Sequence, residues 1–178
     1  CNHGEHWTSL GLTENCVEAV AVNAKGHVFA GISPGCGGGP FQSGVLRSKD
    51  NGGSWTPAGN PGVMESSILS VAINSRGHVF AGSGSPSDPF VPNQGRIFRS
   101  VDDGETWLEL NTESIRTNVR ALVVNAGDDL FAVAYNETTD GADDGLFRST
   151  DDGDSWVKLN VPGAVRPAVY AIALDRSK

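Results

Sequence analysis

Three stretches of the chain hold an acid, two hydroxyls and a tryptophan at fixed spacing: "RSKDNGGSW", "RSVDDGETW" and "RSTDDGDSW". All three read Ser-x-Asp-x-Gly-x-Ser/Thr-Trp. The first is built on Ser48, Asp50, Gly52 and Trp55, the second on Ser100, Asp102, Gly104 and Trp107, and the third on Ser149, Asp151, Gly153 and Trp156. A carboxylate so placed could ligate calcium or accept backbone N–H bonds within its own turn. The turn reading accounts for every position: the glycine supplies a positive φ and the hydroxyls take up the remaining donors. A residue that recurs once per unit sits at equivalent places around a molecule, so it cannot by itself build one convergent site. Arg47, Arg99 and Arg148, one before each box, fall under the same argument, and so do His27 and His78, which are expected to face solvent.

Chemistry must then come from residues outside the repeat. The acidic run "TTDGADDG" (138–145) lacks the ligand spacing of a calcium loop and reads as solvated, so no metal is assigned. Cys1, Cys16 and Cys36 fit no zinc or redox spacing. Cys16 and Cys36 fall in loops of one unit, where a disulfide is sterically open to them and would imply an oxidising compartment; two free thiols are the alternative. "GCGGGP" opens no helix and is not a phosphate loop, the four histidines are repeat or terminal residues, and no cofactor is expected. Phe41, Phe90 and Tyr135 punctuate three long loops, with Asp88, Asn93 and Asn136 beside them. Aromatic faces flanked by amides and a carboxylate suit a glycan or protein ligand. The competing account has Phe41 and Phe90, each following a proline, plugging the ends of their own sheets.

The elements that must position these residues repeat. Trp7, Trp55, Trp107 and Trp156 are 48, 52 and 49 residues apart. Asn23, Asn74, Asn125 and Asp175 keep the same step, and so does "GHVFAG" at 26–31 and 77–82, echoed at 128–133. The first unit resolves into four extended runs, a to d, at 17–23, 27–31, 44–48 and 55–59. Runs a and b are apolar on both faces, which requires other sheets on either side. The expectation is an all-β partial β-propeller of three four-stranded antiparallel blades with one extra strand at each end. Residues 1–10 would be the remnant of a preceding blade, 17–59, 68–111 and 119–160 the blades, and 168–178 the first strand of the next.

The boxes resemble the Asp-box (BNR) repeat of sialidase-like propellers and of exported bacterial propellers. The resemblance covers essentially the whole chain and implies that each box is a structural c–d hairpin turn. It implies an expectation for catalysis too: an arginine triad, a Tyr/Glu nucleophile pair and an acid/base Asp. The non-repeated arginines on the loop side are Arg116, Arg120 and Arg166, the tyrosines are Tyr135 and Tyr170, and the loop-side carboxylates are Glu65, Glu113 and Asp88, none nominated beyond location. No catalytic residue is therefore assigned.

A net charge of −8 argues against nucleic acid as a partner, and no apolar run of membrane-spanning length occurs. The leading expectation is a non-catalytic binding or scaffold module presenting a loop face to a glycan or protein. A secreted or cell-surface setting is expected, with Cys1 as a candidate lipid-bearing residue. One alternative is a fragment of a glycoside hydrolase whose catalytic residues lie partly elsewhere. Another is a structural subunit joined to remaining blades, its own or another copy's, through open edges.

Overall fold

The computed structural model describes residues 7–12, 15–34, 43–84, 95–115, 117–135, 144–160 and 172–173. Its strands form three antiparallel sheets of four, each in simple chain order. The first holds β1 (Cys16–Val22), β2 (Val28–Ser33), β3 (Gly44–Ser48) and β4 (Thr56–Pro57). A single turn of helix, α1 (Pro61–Met64), leads to the second sheet of β5 (Ile68–Ile73), β6 (Val79–Ser83), β7 (Ile97–Ser100) and β8 (Leu108–Glu109). The third holds β9 (Val119–Val124), β10 (Leu130–Ala134), β11 (Gly145–Ser149) and β12 (Val157–Leu159). β1 lies against β5 and β5 against β9, so the first strands form the inner margin and the tryptophan-bearing turns the outer one.

Two apolar layers join the sheets. Phe29 and Val45 pack on Val79, Ala81, Phe98 and Trp107, and one unit on Phe80 and Ile97 pack on Leu130, Ala132 and Phe147. Phe29 and Phe80 are both fully enclosed. β6 is buried along its whole length because both its faces meet another sheet.

Burial on both faces does not extend to the first strand of the chain. Val17, Val20 and Val22 are 40%, 58% and 59% exposed, because no further sheet among the described residues covers the outward face of the first. Nor are the four indoles equivalent: Trp107 is 7% exposed, while Trp7 is 91% exposed with no sheet to lie on. Residues 7–12 are unpaired backbone rather than a strand, yet they occupy the place of one. Leu10 sits where a Cβ on Gly52 would be, as Leu110 does at Gly153, and the Leu10 carbonyl accepts the Trp55 indole N–H at 2.8 Å as that of Ala58 accepts Trp107. The outer strands β4, β8 and β12 are only two or three residues long. Residues 1–6, 168–171 and 174–178 lie outside the described residues, so most of both terminal strands expected from the sequence does too.

Candidate functional site

The three acidic turns are built almost identically. In the first, Ser48 Oγ donates to Asp50 Oδ1 at 2.8 Å and accepts the Gly52 N–H at 2.7 Å. The Ser54 N–H and hydroxyl both donate to Asp50, at 2.8 and 2.7 Å. The Ser100–Asp102–Thr106 and Ser149–Asp151–Ser155 turns repeat these bonds. Hydrogen bonds from Ser54, then Ser48, hold the Asp50 carboxyl down at about 2, and those from Ser155 and Ser149 do the same for Asp151. For Asp102 the largest influence is burial, which acts upward, but the bonds from Thr106 and Ser100 outweigh it. Each carboxylate accepts three hydrogen bonds from within its own turn. These aspartates are turn-builders.

The adjoining residue of each turn reaches the neighbouring sheet. Asp103 accepts from Asn23 Nδ2 at 2.7 Å and contacts His27 Nδ1 at 2.7 Å, and Asp152 meets Asn74 and His78 in the same way. Arg47 donates to the Asp103 carbonyl and to Glu105, and Arg99 to the Asp152 carbonyl and Asp154. His27 and His78 therefore do not face solvent: their side chains are 19% and 22% exposed, locked into the joints between sheets. Each sits at the end of a turn in which Asn23 or Asn74 accepts two backbone N–H bonds, and that turn aims the imidazole across the joint. Among the described residues no group of three or more His, Cys, Asp or Glu side chains is arranged to hold a metal.

The opposite end of the sheets carries the non-repeated polar residues. A register shift near the start of each first strand leaves Glu18, Leu69 and Arg120 unpaired in the ladder. Such bulges re-aim a side chain. Ser33 Oγ donates to Glu18 at 2.5 Å, while Arg120 Nε and Thr117 Oγ1 are enclosed without a hydrogen-bond partner. Two hollows open at this end. One, of about 270 Å³, is lined by Gly62, Glu65, Ser66, Ser67, Ser83, Gly84 and Arg96. The other, of about 560 Å³, runs along Glu109, Asn111, Thr112 and Glu113 and shares Arg96. α1 shapes the first: Ser66 Oγ donates to the Gly62 carbonyl at 2.9 Å, and Ser43 Oγ to that of Met64 at 2.8 Å. Arg96, half-exposed, reaches Glu109 at 3.4 Å and stands between the two hollows.

Of the ligand residues expected from the sequence, Tyr135 is half-buried at the end of β10, its N–H donating to the Asn118 carbonyl at 3.0 Å. Phe41, Phe90, Asp88, Asn93 and Asn136 lie outside the described residues. Glu65 and Glu113 line separate hollows joined through Arg96, a residue the repeat argument passed over. Its signal was there: Arg96 occupies the position held by Gly44 and Gly145 in the other sheets. Cys16 is disulfide-bonded, with its expected partner Cys36 outside the described residues.

Solved structures bear on the architecture. An ancestral GH74 enzyme aligns with a TM-score of 0.64 at 23% identity, over 92% of this chain and 21% of that one. The GH74 xyloglucanase from Xanthomonas campestris aligns at 0.61 and 21% identity, over 88% and 26%. YCF48 from Cyanidioschyzon merolae aligns at 0.55 and 15% identity, over 83% and 38%. No protein-family model matches the chain, and no curated protein does.

Proposed function

We propose that the chain is a non-catalytic binding module whose ligand is an extended polypeptide lying across the loop end of its sheets. The three sheets are blades of a β-propeller, the fold shared with those neighbours. The chain spans less than half the length of each, and at these identities the likeness concerns the fold alone. The carrying observation is the pair of hollows bridged by Arg96, lined by serine hydroxyls, glycine backbone and glutamates. Such a surface offers hydrogen bonds and charge to a peptide main chain and its polar side chains. A glycan would call for exposed aromatic faces, and none stands among the described residues that line these hollows. A structure of YCF48 bound to D1 peptide, aligned at a TM-score of 0.57, is a precedent for peptide binding on this fold.

The turns support membership of the Asp-box repeat class, in which the box is structural. The disulfide at Cys16 supports an exported setting. Peptide and glycan arrays probed with the 178-residue chain test the ligand reading, with Arg96→Ala as the matched variant. Peptide binding that weakens about tenfold in the variant, the loss of one charged contact, is the expected result. Glycan capture unaffected by Arg96→Ala, or release of reducing sugar from xyloglucan, would overturn it.

A further inference from the structure

The outward face of the first sheet is apolar and open. A hollow of about 250 Å³ is lined there by Leu10, Leu12, Val17, Val20, Val28 and Trp55. The two internal joints show what belongs on such a face. Val71, Val79 and Trp107, at the ladder positions of Val20, Val28 and Trp55, are covered by the Phe29 layer of the preceding sheet, and the following joint repeats this with Phe80. Phe131 holds the same register on the third sheet, opposite Arg148 as Phe29 is opposite Arg47. It is only half-buried, under the Arg148 guanidinium at 5.9 Å.

Charge distinguishes the outward faces of the first and third sheets from the internal joints. In both internal joints the leading sheet offers a histidine and the following one an aspartate. On the third sheet the histidine position is Asp129, and on the first the aspartate position is Asn51. The carboxylate has moved to the other side, and an amide donor stands where it was. The second acid of the following turn, Glu105 or Asp154, is Gly53 in the first, while Arg148, which would have met it, bonds Asp129 at 2.7 Å instead. A further box turn of the usual kind would bring an aspartate against Asp129. The first sheet of this chain brings an amide.

We propose that the outward face of the first sheet docks the third sheet of a second copy, with Phe131 in the apolar hollow and Asn51 donating to Asp129. Residues 7–12 hold the place meanwhile, because Leu10 occupies the position over Gly52 that Leu159 of the second copy takes in the joint. The contact is head-to-tail, so it builds rings or open chains rather than a two-fold dimer. It goes beyond the peptide reading and fails separately from it, since Arg96 takes no part.

Sedimentation velocity over a wide concentration range tests it on the whole chain. Wild type is expected to form dimers and larger species as concentration rises, and Leu10→Gly to do so at about tenfold lower concentration by freeing the seat. Asn51→Asp sets two carboxylates together and weakens association about tenfold. That variant keeps the turn, because aspartate already occupies this place at φ 65° and 64° in Asp103 and Asp152. Mixing it with Asp129→His rebuilds the internal type of joint and restores the complex. Phe131→Asp abolishes association. A Leu10→Gly chain that stays monomeric throughout overturns the proposal, as does association indifferent to Asn51→Asp.

Discussion

The side chains that looked most chemical in the sequence, the box aspartates, spend their charge on two hydroxyls and one N–H of their own turns. The folded carboxyls of Asp50 and Asp151 stand at about 2, below the ordinary 3.8, so between these values the unfolded chain binds more protons. Their contribution is whole above that window and is lost as pH falls through it. Acid titration followed by circular dichroism should therefore show stability falling between pH 3.8 and about 2, with a shallower fall in Asp50→Asn. A flat stability over that range would contradict the role given to these turns. Their structural part was legible in the sequence because spacing alone dictates which N–H each oxygen meets. The role of His27 and His78 was not: Asp103 and Asp152 lie 76 and 74 residues further along, and a periodic pattern carries no sign of which neighbour a side chain will reach.

At the scale of elements, strand positions could be read closely because alternation and turn residues are local. β3 was expected at 44–48 and runs Gly44–Ser48. The short outer strands and the exposure of β1 were less visible, since both depend on what lies beside the strand rather than within it. The connection from the first blade to the second shows how tightly such links are fitted. Gly59 has φ 125°, and a Cβ there would stand 2.3 Å from Trp107 Cδ1 and 2.7 Å from Val63 Cγ1. Gly59→Ala should cost about 2–4 kcal/mol in urea unfolding, by strain and by lifting the indole from its seat. The site was half legible. Glu65 and Glu113 lie on the loop end that their connections imply, whereas Arg96 carries no periodic mark because it breaks the repeat.

For the molecule as a whole, each sheet leans chiefly on its immediate neighbour, and among the described residues the two joints share no apolar side chain. Stability should then be close to a sum over joints. His27→Ala and His78→Ala should each cost about 1–2 kcal/mol, and the double variant should equal their sum within about 0.5 kcal/mol. A large coupling energy would mean that the two joints interact through the second sheet. The same near-identity of units has a cost during synthesis. "VFAGIS" in β2 and "VFAGS" in β6 are almost interchangeable partners, so a nascent chain faces competing pairings that no hydrophobic pattern can rank. Among the three described sheets, an acid at 129 sets the third apart, since Asp129 holds Asn125 and Arg148 of its own sheet where the other two reach across with a histidine. That difference gives otherwise synonymous segments an address label.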